Sequence, residues 1–265
     1  MSSIAILGCA RNIAKYWNES VSTLKTISNQ FQSYKIIIFE NDSSDNSLLL
    51  LKHFEQSFSH VSILSEKNLT KQIPIRTHRL AYCRQKLLNH LINTNFNPEY
   101  VCVLDLDDVC NQFRAQSFIK KSFQLNKDWD AIFPSSSYDY WAWRTEICKL
   151  NYKEQRILKN IKYLNLLKQD MNLKPRDPTQ FLRIVLSAFG GIGLYKYKVY
   201  IKGKYDGRNF LFSNVKNGQF YHNEECEHVN FHHSLGQNTR IRVITGLYYT
   251  IPGKNNSTKL KMNLL

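Results

Sequence analysis

Two carboxylates one residue apart, Asp105 and Asp107, close the apolar run Tyr100–Leu104, and a third, Asp108, follows at once. In extended backbone, residues i and i+2 project to one side, so both carboxylates reach a single ion. Two hard oxygen ligands suit Mn²⁺ or Mg²⁺, which also grip a diphosphate. A bare D-x-D equally fits a solvated acidic turn; the buried strand before it and the third Asp favour metal. Glu40 and Asn41 end another apolar run, Tyr34–Phe39, where they can accept hydrogen bonds from a ribose or a base. The rest of Glu40–Ser47 is accounted for by turn and N-cap chemistry. Arg76, Arg79 and Arg84, with His78 among them, follow in one basic stretch. A guanidinium forks onto phosphate or carboxylate, and Arg79 is the better placed; Arg84 reads as part of a solvated helix face. The segment Glu224–His233 holds three Glu and three His. His228 and His232 are four apart, share a face, and either one can complete a metal shell. No H-E-x-x-H occurs, so a zinc protease is not supported. Gly190-Gly191-x-Gly193 serves either tight packing or a backbone pressed against a ligand.

The elements that must position these residues alternate. Strands are predicted over Ile4–Leu7, Tyr34–Phe39, Val61–Leu64 and Tyr100–Leu104, with helices over Ile13–Phe31, Leu48–Phe58 and Thr77–Asn93. Such alternation predicts an α/β fold, a Rossmann-like and mostly parallel sheet flanked by helices. Ligands lie outside the carboxyl ends of strands in these sheets. Three strand ends carry polar clusters: Cys9-Ala10-Arg11, Glu40-Asn41-Asp42 and Asp105-x-Asp107. One site built from three loops is therefore expected. Further on, Asp130–Pro134 and Val243–Ile251 read as strands, Ser135–Arg144 as a polar-aromatic loop, and 150–175 as helical. No internal repeat or Pro/Gly-rich linker interrupts the chain, which predicts one domain over 1–265.

Charge and cysteine usage narrow the function classes. Lys and Arg total 36 against 21 Asp and Glu, a formal charge of +15 that attracts polyanions. Most of the excess lies in 151–219, with fourteen Lys/Arg against four Asp/Glu. That stretch suits an acidic membrane surface, an acidic glycan or donor phosphates. The six Cys form no CxxC pair, so neither a zinc ribbon nor a disulfide scaffold is signalled. No apolar run approaches the roughly 18 residues of a membrane helix, and no basic n-region opens the chain. A cytoplasmic location is the expectation.

In this order the blocks resemble a GT-A glycosyltransferase. More specifically, they resemble the fungal capsule-associated α-1,3-mannosyltransferase family and similar sugar transferases of large DNA viruses. The matching pieces are Phe39-Glu-Asn-x-Ser-x-Asp45, Arg76–Leu88, the strand ending in Asp105-x-Asp107, Tyr138–Arg144, Val185–Gly193 and Glu225-Cys-Glu227. The resemblance implies a UDP- or GDP-linked sugar donor, a divalent metal, and a hydroxyl acceptor on a glycan, lipid or protein. It implies that Ala10, Arg11, Glu40 and Asn41 line the nucleotide and that Arg79 faces it or its phosphates. Asp105 and Asp107 would hold metal and diphosphate, with His232 as third metal ligand, and Gly190 and Gly191 would let the backbone approach the donor sugar. Tyr138, Asp139 and Trp141 would shape the acceptor side. If the reaction inverts, Glu225 or Glu227 is the candidate base; if it retains, as the resemblance implies, the donor phosphate takes the proton. On this reading residues 1–110 bind the nucleotide-sugar, 111–250 bind the acceptor, and 251–265 form a tail. A viral source would make the location the host cytoplasm.

Two other readings compete. Val101–Val109 fits the first motif of a haloacid-dehalogenase phosphatase, with Asp105 as nucleophile and Asp107 as acid/base. That motif normally opens its domain, however, and the later Gly-Asp-x-x-x-Asp motif is missing. The net charge suggests a nucleic-acid binder, but no helix-turn-helix, RNP or zinc-finger signature accompanies it, so no nucleic-acid partner is expected.

Overall fold

A computed structural model describes residues 2–107, 109–125, 128–136, 140–149, 161–171, 182–208, 215–216, 219–220 and 224–249. Its strands are β1 (Ser3–Ala10), β2 (Ser33–Asn41), β3 (Val61–Glu66), β4 (Tyr100–Asp105), β5 (Ala131–Ser136), β6 (Leu182–Ile184), β7 (Ile192–Lys196), β8 (Val215–Lys216), β9 (Gln219–Phe220) and β10 (Ile241–Tyr249). Its helices are α1 (Trp17–Ser28), α2 (Ser47–Ser57), α3 (Leu69–Gln72), α4 (Arg76–Ile92), α5 (Gln112–Gln124), α6 (Ile161–Met171), α7 (Tyr197–Tyr200) and α8 (Glu227–Ser234).

One eight-stranded sheet runs in the order β3-β2-β1-β4-β7-β5-β10-β6. From β3 to β4 all neighbours are parallel. Strand β7 then enters antiparallel between β4 and β5, β10 runs parallel to β5, and β6 closes the edge antiparallel. Strands β1, β2 and β4 are buried on both faces, which is why their sequences read as unbroken apolar runs, whereas the edge strand β3 buries only Val61 and Ile63. Side chains alternate across the sheet. Ala5 and Leu7 of β1, with Ile37 and Phe39 of β2, face Ala81, Leu87 and Leu88 of α4. Ile4, Ile6, Ile36 and Ile38 face Leu24 and Ile27 of α1, Leu51 of α2 and Phe118 of α5. Each such fully buried aliphatic side chain contributes about 1.5–3 kcal/mol. Three layers result, with helices on both faces.

The structure differs from the sequence reading at α5, which the sequence analysis does not propose. Asn111 accepts a hydrogen bond from the Arg114 amide at 3.0 Å and caps the helix, and Ala115, Phe118, Ile119 and Ser122 form its buried side. The expected first helix begins later than Ile13, because Ala14–Tyr16 form a 3-10 turn before α1. The helical stretch expected over 150–175 is described only as α6, and the tail 251–265 lies outside the described residues. Among the described residues, no helix is long and apolar enough to cross a membrane.

Candidate active site

Strand register brings the three polar ends side by side. Cys9 is paired with Asp105 across β1 and β4, and Ala10 with Glu40 across β1 and β2. A cavity of about 380 Å³ opens above them. Its walls come from Cys9, Ala10 and Arg11 after β1, Asn41 after β2, and Asp105, Leu106 and Asp107 after β4. The start of α4 contributes Arg76, Thr77, Arg79, Leu80 and Arg84, and later chain contributes Trp141, Phe189, Cys226, Glu227 and His228.

The loops are fixed by side chain to backbone bonds. Asn12, at a left-handed φ of 54°, accepts from the Ser44 amide at 2.8 Å, while its own amide donates to Ser43 Oγ at 3.0 Å. Ser47 Oγ accepts from the Ile13 and Ala14 amides at 2.7 and 3.0 Å, tying the β1 loop to the start of α2. Asp42 accepts from the Thr70 amide and hydroxyl; burial works to raise its carboxyl, but these bonds hold it down at about 2.

The floor of the cavity is a buried ion cluster. Arg84, 4% exposed, donates from Nη2 to Asp105 Oδ1 and from Nε to Glu227 Oε1, both at 3.0 Å. Burial opposes its charge, but Cys9, Glu227 and Asp105 around it keep the guanidinium firmly protonated. Burial raises the Asp105 carboxyl, and the Arg84 charge opposes that rise. Arg84 is therefore buried in an ion cluster and not on the solvated helix face that the sequence alone suggests. A signal was available, because Arg84 lies three residues after Ala81 and four before Leu88, on the apolar side of α4.

Several expected site residues are placed elsewhere. Glu40 is buried and does not line the cavity: it accepts from the Ser43 amide at 2.9 Å and the Ser65 hydroxyl at 2.7 Å, bracing its loop. Gly190 and Gly191 press against protein. A Cβ on Gly190 would lie 2.7 Å from Ser136 Cβ, and one on Gly191 would lie 2.6 Å from Val109 Cγ1. Gly191 also has φ +83° and accepts from the Asp105 amide at 2.8 Å. Gly191→Ala is therefore expected to cost about 1–3 kcal/mol in denaturant unfolding, through left-handed strain and overpacking. Glu225 Oε1 accepts from Arg144 Nη2 and from the Cys226 amide, both at 2.8 Å, outside the cavity lining. Asp139 and Tyr138 lie outside the described residues.

The two candidate histidines separate. His232 spends both ring nitrogens, on Ser187 Oγ at 2.8 Å and the Tyr195 hydroxyl at 2.9 Å, and does not line the cavity. It is a structural hydrogen bonder, not positioned as a third ligand. His228 does line the cavity, is 1% exposed, stacks on Phe189 at 3.8 Å, and has no hydrogen-bond partner at either nitrogen among the described residues. Burial, reinforced by Arg84, pushes its pKa well below the ordinary histidine range, so the ring is neutral and able to donate a lone pair. Among the described residues, no three His, Cys, Asp or Glu side chains are grouped closely enough to hold a metal ion. The donor set still fits a hard divalent ion in kind: Asp107 and neutral His228 line one cavity, with Asp105 beside them.

Burial also pushes the His232 imidazole down to about 3. Its unfolded value is about 6.5, so between these pH values the unfolded chain binds a proton that the native chain does not. Its contribution is complete above about pH 6.5 and is lost as pH falls toward 3. Between about pH 7.5 and 5.5 the loss is about 1 kcal/mol. Urea unfolding at both pH values should show it, with a shallower dependence in His232→Gln.

No protein-family model matches the chain, and no curated protein matches it. Solved structures do. GalNAc-T7, in complex with UDP, GalNAc and Mn²⁺, superimposes with a TM-score of 0.52 at 12% identity, over 94% of this chain and 44% of its own. The Pyrobaculum calidifontis mannosyltransferase PcManGT, with GDP-Man and Mn²⁺, gives 0.49 at 9% identity, over 95% and 58%. S. aureus TarS 1–349 gives 0.45 at 13% identity, over 93% and 59%. The chain thus spans 44–59% of the length of these structures. The likeness to GalNAc-T7 shows the fold, and the other two are too loose to add to it. The mostly parallel α/β sheet flanked by helices is the GT-A glycosyltransferase fold.

Proposed function

We propose that the protein is a GT-A glycosyltransferase that moves a sugar from a UDP- or GDP-linked donor to a hydroxyl on a glycan, lipid or protein. The observation that carries this reading is the single cavity at the ends of β1, β2 and β4, lined by Asp105, Asp107, Asn41 and three arginines beyond Arg84. Ala10 and Asn41 bind the nucleoside, Arg11 meets the phosphates of the nucleotide, Asp105 orients the donor sugar, and Trp141 and Phe189 close the acceptor side. Bound Mn²⁺ or Mg²⁺ would be held by Asp107 and His228 and would offset charge on the departing diphosphate. Arg84 keeps Asp105 and Glu227 in one rigid arrangement, so the site needs little reorganisation when charge develops. Glu225 is engaged by Arg144 outside the cavity lining and Glu227 by Arg84 through Oε1, which favours a course that needs neither carboxylate as base. The donor phosphate then takes the acceptor proton, the retaining course implied by the resemblance to the capsule-associated mannosyltransferases. The division into a donor half, 1–110, and an acceptor half, 111–250, follows from the same assignment. The basic stretch 151–219 would meet an acidic membrane or glycan surface.

Thermal unfolding with UDP-, GDP- and CMP-sugars in Mn²⁺ tests the donor class. A rise in Tm for UDP- or GDP-sugars is expected. No rise with any nucleotide-sugar would overturn the reading.

A further inference from the structure

We propose that Arg11, Arg76 and Arg79 form a clamp that anchors the donor diphosphate without any divalent cation. This inference rests on the nucleotide-sugar reading above and adds how the donor is held. All three guanidinium side chains line the cavity. They come from two walls: Arg11 follows β1, and Arg76 and Arg79 sit one turn apart at the start of α4. Neither Arg11 nor Arg76 has an ion-pair partner among the described residues. Arg79 is oriented by Nη1 bonds to the Ile73 and Pro74 carbonyls at 2.7 and 3.2 Å, which leaves the remaining fork for a ligand.

The start of α4 is poorly matched to its own side chains. A helix N-terminus carries partial positive charge and prefers acidic neighbours. Here the first turn holds no acidic residue, and the capping position is Ile75, with no side-chain cap bond. The first intrahelical bond runs from the Arg79 amide to the Ile75 carbonyl, so the preceding amides point toward the same end as the arginines. Burial, and then the charges of Arg11 and Arg76, lower the Arg79 pKa. Cations crowded onto a helix N-terminus are relieved by a bound anion. An independent observation points the same way: Arg84, 4% exposed and lining the cavity floor, has Nη1 buried without a hydrogen-bond partner among the described residues. The carboxylate side is less ready, because Asp105 is bonded to Arg84 and no three ligands are grouped for a metal among the described residues. Guanidinium forks match the spacing of phosphate oxygens and hold two of them at once. The metal is then needed for transfer, while affinity for the diphosphate is present before it binds.

Calorimetric titration of UDP and GDP into the protein, in EDTA and in Mn²⁺, tests this, with uridine and guanosine as phosphate-free probes. One nucleoside diphosphate is expected to bind in EDTA within about threefold of its affinity in Mn²⁺. The double variant Arg11→Ala/Arg76→Ala changes two exposed side chains and should leave the circular dichroism spectrum unchanged. It should weaken the diphosphate about tenfold or more and leave the nucleoside unchanged. Binding only in Mn²⁺, or equal binding by the variant, overturns the clamp while the donor reading stands. No binding of either diphosphate under either condition overturns both.

Discussion

Arg84→Met is expected to lower folding stability by about 3–5 kcal/mol in urea unfolding near neutral pH. Removing the guanidinium leaves Asp105 and Glu227 facing one another in the cavity floor with no cation between them. Truncating one member of a buried ion cluster costs far more than the cluster contributes, because the remaining charges stay desolvated. A second variant makes the cause explicit. Arg84→Met combined with Asp105→Asn and Glu227→Gln removes the stranded charges and should recover most of the lost stability. If the single variant costs under about 1 kcal/mol, Arg84 is not the keystone of the floor.

Asp107→Asn is expected to leave stability within about 0.5 kcal/mol of the parent and to reduce sugar transfer at least about 100-fold. The asymmetry follows from its surroundings. Asp107 lies just past the end of β4 and is half-exposed, and its Oδ1 accepts from the Val109 amide at 3.0 Å, a bond that asparagine keeps. What asparagine lacks is the negative charge that would hold a divalent ion against the donor phosphates. Steady-state release of nucleoside diphosphate, with Mn²⁺ varied, measures the effect. An unchanged rate would remove Asp107 from the mechanism.

The parts of the fold that could be read from the sequence are those whose physics is local. Strands β1, β2 and β4 show as short β-branched apolar runs because a parallel strand inside the sheet is buried on both faces, while the edge strand β3 shows only as the shorter alternation around Val61 and Ile63. Their polar carboxyl ends announce a site because ligands bind at that edge. Which residue of each pair turns inward is not local. Glu40 and Asn41 alternate across β2, and only the fitted sheet shows that Asn41 lines the cavity while Glu40 braces Ser43 and Ser65. His228 and His232 lie one turn apart on α8, and the choice between them is made by Phe189, Ser187 and Tyr195, far away in sequence. The glycines Gly190, Gly191 and Gly193 are explained by Ser136, Val109 and Phe133 packed against them, contacts that only the antiparallel insertion of β7 creates. Arg84 was legible in principle from its place on the apolar side of α4, since a charged residue there must be paired.

The proposed activation of a nucleotide-sugar in the cavity at the ends of β1, β2 and β4 has a direct test. Incubation of the purified protein with individual UDP- and GDP-sugars in Mn²⁺, followed by chromatographic measurement of free nucleoside diphosphate, tests it most directly. Release of UDP or GDP is expected, slow with water as the acceptor and faster with a hydroxyl-bearing glycan. Intact donors throughout, with phosphate released instead from a simple phosphomonoester, would contradict it.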